Sequence, residues 1–375
     1  MTNLILFISS LFIVFQTTIV SYAQDSDSIE QIEVREDSIK LAKAYLMQAS
    51  FLNHIIADAE TTPVESFNGE DAADDPAIWV NRKNPERSLI LGTNKKAGIY
   101  VYDLKGEVLQ FIRCGRINNV DLRDNFYYNK QNVALVAASN RSLNVISLFV
   151  LNKKTGILSD TIANIISGVD EVYGICMHYN KISKQFFAIV NGKGGKIEQW
   201  EIMSVKKGIK TNLLRSFSVA TQPEGMVVDD ANGILYLGVE DEGIYAVNLN
   251  SGSFKLSLIE GSTYMNPSIV YDIEGLALFK YKNYSYLIAS IQGNFTYAIF
   301  NTSKNCKYIG SFSIMPGEID GVEETDGIEI TSLACGKKYP DGILVVQDGF
   351  NSKINKPENQ NFKIVSLSKI LPFLE

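Results

Sequence analysis

From residue 75 onward the chain repeats itself six times, and a repeat of this length leaves few folds open. A polar residue, usually followed by a small one, opens a short apolar strand at Asp75-Pro76, Asp121-Leu122, Tyr173-Gly174, Glu224-Gly225, Glu274-Gly275 and Asp326-Gly327. The intervals are 46, 52, 51, 50 and 52 residues. Each unit continues with a second strand, a polar turn and a third strand. In the first unit these are Leu89-Ile90-Leu91, Asn94-Lys95-Lys96 and Ile99-Tyr100-Val101-Tyr102. Short strands at such a period mark the blades of a propeller, whereas a β-solenoid uses shorter repeats with stricter consensus positions. The expected fold is all-β, a six-bladed β-propeller over residues 53–375. The 18 Tyr and 19 Phe against 9 Pro agree with strands rather than a helical bundle.

The segments ahead of the repeats read differently. Leu4 to Val20 is an apolar run, and Ser21-Tyr22-Ala23 before Gln24 fits a cleavage site, so residues 1–23 are expected to be an export signal. The first three residues carry no Lys or Arg, a departure from the usual pattern. Export implies a secreted or periplasmic protein with no membrane span after cleavage. Residues 24–52 are polar with scattered aliphatics and read as a linker or a short amphipathic helix.

Composition removes several classes of function. A formal charge of −7 argues against nucleic acid, whose binding draws on Lys and Arg. Two His, at 54 and 178, leave a zinc centre or a phosphohistidine mechanism without ligands. Cys114, Cys176, Cys306 and Cys335 have no CxxC spacing and are too few for a disulfide framework. Cys176 reads as a buried strand residue. Gly192-Lys193-Gly194-Gly195 lacks the Ser or Thr that a phosphate loop needs after its Gly-Lys, and no GxSxG elbow is present.

Blade geometry then places the chemistry. In an antiparallel blade the start of the innermost strand and the end of the second share one edge. The six strand openings should therefore ring one mouth of the channel, with the second-to-third turns in a wider ring around it. The expected inner ring is Asp75, Asp121, Tyr173, Glu224, Glu274 and Asp326, with Asp74, Asp272 and Asp320 beside it. A single carboxylate at a strand start is ordinary. Five around one pore repel one another unless cations lie between them. Many hard oxygens without His or thiolate select Ca²⁺ or Mg²⁺, and their flexible, numerous character favours Ca²⁺. In the outer ring Lys95, Lys96, Arg141 and Lys193 occupy three consecutive blades, and Glu240, Gln292 and Asp348 the other three. A cationic arc facing a metal-filled acidic arc suits a ligand with several phosphates.

The residues at these places carry a resemblance. Asp71-Ala-Ala-Asp-Asp-Pro-Ala-Ile-Trp79, Thr93-Asn-Lys-Lys96, Asn118-Asn-Val-Asp121, Ala138-Ser-Asn-Arg141 and Asp170-Glu-Val-Tyr-Gly174 are followed by Glu224-Gly-Met226, Asp272-Ile-Glu-Gly-Leu276 and Gln292-Gly-Asn294. Thr325-Asp-Gly-Ile328, Gln347-Asp-Gly349 and Asn359-Gln-Asn-Phe362 complete the series. In this order they resemble the β-propeller (alkaline) phytases across every blade. The resemblance implies calcium-dependent hydrolysis of phytate, myo-inositol hexakisphosphate, bound as a calcium complex by a monomer holding several Ca²⁺ ions. It implies phosphate binding by Lys95, Lys96, Arg141, Tyr173 and Lys193, with Lys95, Arg141, Tyr173 and Glu240 in catalysis. Active-site calcium ligands would be Asp74, Glu224, Glu240, Asp272, Glu274, Gln292, Asp320 and Asp326. Glu60, Asp71, Asp75, Pro76, Asn119 and Val120 match structural calcium positions. Gly194-Gly195 departs from the acidic residue often found there in relatives, and the spacing from Glu60 to Asp71 is slightly longer.

Two other readings share the architecture. A lactonase or esterase propeller would use a channel calcium as Lewis acid but has no use for four outer-ring cations. A non-catalytic calcium-binding propeller would keep most of the same residues, and phosphate release separates it from an enzyme.

Overall fold

The computed structural model describes residues 37–67, 70–251, 254–354 and 356–374. The expected signal segment, residues 1–23, lies outside these. Residues 37–50 form a helix, and among the described residues no helix is long and apolar enough to cross a membrane. Residues 51–375 form a separate unit.

That unit is a ring of six blades, each built on four antiparallel strands. The innermost strands of blades 1 to 6 are Ala73–Trp79, Ile117–Tyr128, Val172–Asn180, Pro223–Asp229, Ile273–Tyr281 and Ile328–Thr331, and each neighbours the next around the channel. Blade 6 takes its outermost strand, Ala59–Glu60, from the start of the unit; it pairs antiparallel with Asn361–Ser366. A parallel strand, His54–Ile55, adds to the outside of blade 5. Both ends of the unit are thus stitched into finished blades, and the last interblade seam closes.

Strand side chains alternate between the two faces of a blade, and in a propeller both faces meet a neighbour. Ile90 packs with Val345 and Phe362 of blade 6, while Leu89 and Leu91 pack with Val136 and Phe149 of blade 2. This two-sided burial is why the second and third strands read as unbroken apolar runs.

The first five innermost strands share one irregularity. Pairing with the second strand shifts between Ala73 and Pro76, Ile117 and Val120, Val172 and Ile175, Pro223 and Met226, and Ile273 and Leu276. A bulge of this kind turns one extra side chain out of the ladder, here at the channel mouth. Its register corrects the sequence-based ring. The equivalent positions are Asp74, Asn118, Tyr173, Glu224 and Glu274, with Asp326 just ahead of blade 6. Asp75 is one residue too far along and Asp121 three. The residue after each ring position is Gly in blades 3 to 6 for a steric reason. A Cβ on Gly174 would meet the Glu224 carbonyl, and one on Gly225 the Glu274 carbonyl. In blade 1 that place belongs to Asp75, whose carboxylate accepts the Val120 N–H of blade 2 at 3.0 Å.

Candidate metal and phosphate site

The bulged side chains converge on two overlapping carboxylate groups. Asp74, Glu224 and Asp326 each offer an oxygen within 4.8 Å of the others, and so do Glu224, Glu240 and Glu274. Glu224 belongs to both. Glu240 comes from the second-to-third turn of blade 4 and receives a 2.6 Å hydrogen bond from the Gln222 amide.

Electrostatically this arrangement is incomplete. Both oxygens of Asp74, Glu274 Oε2 and Asp326 Oδ1 are buried without a hydrogen-bond donor. Burial, followed by the charge of Asp74, raises the pKa of Glu224. Burial, then Glu224 and Asp326, pushes Glu274 well above the carboxylate range. Asp326 is raised likewise by burial, Asp74 and Glu224, and Glu240 reaches about 7 through burial and its acidic neighbours. Unsatisfied, mutually repelling carboxylates are a donor set for a hard divalent cation. The residues present fit such an ion.

One ammonium already sits there. Lys95 Nζ lies 2.8 Å from Asp71 and 3.4 Å from Asp326, and 2.9 Å from Asp74 Oδ1, the last without hydrogen-bond alignment. Burial disfavours its charge, but Asp74, Asp326 and Asp71 outweigh this and hold its pKa above the ordinary lysine value.

The cationic arc adjoins these groups. Arg141 donates to Glu171 Oε1 from Nε at 2.9 Å and from Nη2 at 2.5 Å. Its Nη1 donates to Asn118 Oδ1 at 3.1 Å, and Asn118 Nδ2 donates to Glu224 Oε1 at 2.8 Å. Asn118 therefore ties the Arg141 guanidinium to Glu224, the carboxylate shared by the two groups. The Tyr173 ring lies between two cations, 5.8 Å from the Arg141 guanidinium carbon and 4.8 Å from Lys193 Nζ. Burial and then Glu224 keep the Tyr173 hydroxyl protonated by raising its pKa. The turn bearing Lys193 is fixed by the Gly194 N–H, which donates to Asp170 at 2.9 Å; a Cβ at Gly194 would crowd that carboxylate. Lys96 is half exposed, with Glu70 at 3.6 Å.

Other expected positions lie elsewhere. Asp75, Pro76, Asn119 and Val120 line a channel cavity of about 370 Å³ with Asp121, Arg123 and Glu329. There Asp121 is neutralised by Arg123 at 2.8 Å, which removes it from any mouth ring. Cys176 is buried. Asp272 flanks Glu274, and its carbonyl receives the Gln292 N–H at 2.9 Å. Asp320 is in neither carboxylate group. It lies 2.5 Å from Lys363 Nζ, which also meets Glu60 at 2.8 Å and Asp348 at 3.0 Å, so Asp348 is in this buried cluster rather than on the open rim. Asn118 and Glu171 went without assigned roles in the sequence reading, although both stand in matched motifs. A neutral amide gives no charge signal, and Glu171 is one acid among many.

A propeller whose mouth sets carboxylate groups able to hold a metal beside a row of cations fits the class of metal-dependent proteins for phosphorylated ligands. The family follows from comparison. The family model described as phytase matches residues 31–375, and the chain belongs to the phytase family. It is 42% identical over 329 residues to the 3-phytase of Bacillus subtilis (strain 168), covering 85% of each chain. Solved structures give more distant likenesses. A functionally unknown protein from Desulfotomaculum acetoxidans DSM 771 is 18% identical, with 69% and 76% of the two chains covered and a TM-score of 0.46. The Cps50 (Swd1) β-propeller domain of Myceliophteria thermophila is 12% identical, with 78% and 83% covered and a TM-score of 0.45. Neither adds to the argument, because the fold is read from the chain's own sheets.

Proposed function

We infer that the protein is a phytase, a metal-dependent phosphomonoester hydrolase that releases phosphate from myo-inositol hexakisphosphate. Family membership and the 3-phytase relative support the activity. The observation that carries the metal dependence is the pair of carboxylate groups sharing Glu224, with buried oxygens that no protein donor satisfies. Calcium is the cation we assign, since the donors are all carboxylate oxygens, numerous and unevenly spaced.

Asp74, Glu224, Glu240, Glu274 and Asp326 would hold the ions, with Asp272 and Gln292 completing the shell on the blade 5 side. Bound there, the cations neutralise phosphate oxygens and lower the pKa of the attacking water. Lys95, Arg141 and the Tyr173 hydroxyl hold the oxygens of the phosphoryl group to be transferred and stabilise its spread charge. Arg141 exchanges Glu171 for phosphate, while its bond to Asn118 keeps it beside Glu224. Glu240 would take the proton of the attacking water as the new P–O bond forms, while the ester P–O bond breaks and the departing inositol oxygen gains a proton from solvent water and leaves as the alcohol. Lys96 and Lys193 hold neighbouring phosphates of the same substrate, which arrives as a calcium complex. Asp75, Pro76, Asn119 and Val120 form a separate structural calcium site in the channel. The protein acts as a monomer, outside the cytoplasm once residues 1–23 are removed.

Phosphate release from phytate is measured with calcium and with chelator. Release that requires calcium supports the reading; no release with calcium, or equal release in chelator, overturns it.

A further inference from the structure

A second cavity opens on the opposite face of the propeller. The Ala73–Trp79 strand starts at the carboxylate mouth and ends at Trp79, so the loop after it lies at the far end. In blade 2, Tyr128 pairs with Gln131 at that same end, and the loop following Val145–Leu151 returns there. Between these loops lies a groove of about 710 Å³, lined by Arg82, Lys83, Arg87, Lys153 and Lys154, with Asp124 as its one acid.

The charge here is balanced differently from that of the cations at the mouth and in the channel. Lys95, Arg123, Arg141 and Lys363 each have a carboxylate within 3.0 Å. In the groove only Lys153 has one, Asp124 at 3.2 Å, and its ammonium is further held by the side-chain oxygens of Asn125 and Asn132. Asp124 also accepts the Trp79 indole N–H. Among the described residues Arg82, Lys83, Arg87 and Lys154 have no ion pair, and all four are exposed. Scattered surface lysines are ordinary. Four unpaired cations around one concavity, on a chain of formal charge −7, leave their charge for an external anion. Two guanidinium forks suit phosphate oxygens, and the volume suits a ligand carrying several of them.

We propose that this groove between blades 1 and 2 is a second binding site, for a small oligophosphorylated molecule, and that it works without metal. All of its counter-charge comes from side chains, whereas the acidic mouth needs cations to accept a polyanion. The inference stands apart from catalysis at the mouth.

The test is calorimetric titration with myo-inositol hexasulfate in chelator, on the full chain. One site per protein is expected, weakening as salt is added. Combining Arg82→Gln, Arg87→Gln and Lys154→Gln should weaken binding at least tenfold and leave calcium-dependent turnover unchanged. Lys96→Ala with Lys193→Ala, at the mouth, should leave this binding intact. A second readout changes no charge: of the two tryptophan indole ¹⁵N–H resonances, distinguished by Trp200→Phe, only that of Trp79 should shift. Absence of binding in chelator, unaltered binding in the groove variant, loss in the mouth variant, or a stationary Trp79 resonance each overturns the proposal.

Discussion

Replacing Lys95 with Met gives the sharpest test of the mouth. The substitution keeps most of the side-chain volume and removes the ammonium that lies among Asp71, Asp74 and Asp326. Asp74 is 1% exposed and Asp326 11%, so water cannot replace the lost partner. Stripping one member from a buried charge pair costs about 3–5 kcal/mol. Protonation of Asp326, whose pKa is already raised, limits the loss to the lower part of that range. For a unit of residues 51–375, an unfolding entropy of about 2.1 cal/mol/K per residue converts a loss of about 3–4 kcal/mol into a fall of about 4–6 °C in Tm. The sign with pH follows from the raised pKa of Lys95. Its contribution is complete below the unfolded lysine value of about 10.4 and is lost only as pH rises through the folded one. The deficit should therefore appear in full at pH 7. Calorimetry in chelator measures it, and added calcium should shrink it by restoring positive charge to the same carboxylates. Turnover with calcium should fall by about 10²–10³, the usual cost of one transition-state donor. A Met variant that melts with the wild type in chelator and turns over within a few-fold would refute the reasoning.

Glu240, with its pKa near 7, sets the response to pH. In chelator the folded state binds protons more tightly there than the unfolded chain, so stability should fall as pH rises through about 4.5 to 7. With calcium the direction should reverse, since the ions bind the ionised carboxylates; identical pH–Tm curves with and without calcium would contradict the site. Asn118→Leu removes the link between Arg141 and Glu224 and should lower kcat by about 10-fold or more with the fold retained. Asn118→Gln should not rescue it, because the longer amide cannot keep both bonds, and wild-type kinetics in the Leu variant would count against the link. Gly225→Ala drives a Cβ into the Glu274 carbonyl and should abolish soluble expression or cut Tm sharply; a normal melting curve would contradict the close strand approach.

That same crowding explains what could be read in advance. In blades 3 to 6 the ring residue must be followed by Gly, so Tyr173-Gly, Glu224-Gly, Glu274-Gly and Asp326-Gly stand out in the sequence and fix both the repeat and the ring. In blades 1 and 2 the Gly position carries Asp75 and Asn119, and the signal moves to the wrong residue. A bulge also erases the alternation that would otherwise have fixed the register, so the spacing did not place Asp74 and Asn118 in the ring, and Asp74 entered only beside it and through the family resemblance. The grouping of Asp320 and Asp348 was hidden for a different reason. Their partner Lys363 is brought in by the closing blade, across a separation that no local pattern spans. The opposite-face groove rests on loops between strands, where sequence periodicity carries no information.

The two ends of the ring differ in how charge is balanced, and that difference joins these observations. At the mouth, negative charge exceeds what Lys95 and Arg141 neutralise, and the protein alone cannot satisfy Asp74, Glu274 and Asp326. Deeper in the channel, Arg123 bridges Asp121 and Asp230 at 2.8 and 2.9 Å, and that charge is settled internally. A chain that pairs Asp121 and Asp230 with Arg123, yet leaves five carboxylates beside a cationic arc with too few cations, has kept that imbalance for something it binds. Metal removal should therefore act on the mouth more than on the Arg123 cluster of the channel. Hydrogen exchange in chelator should quicken first at the bulged residues around Glu224 and Glu274 and leave the amides of Met177 and Tyr179, held by Asp121 and Asp230, protected. Uniform loss of protection along the channel would show that the imbalance is not local to the mouth.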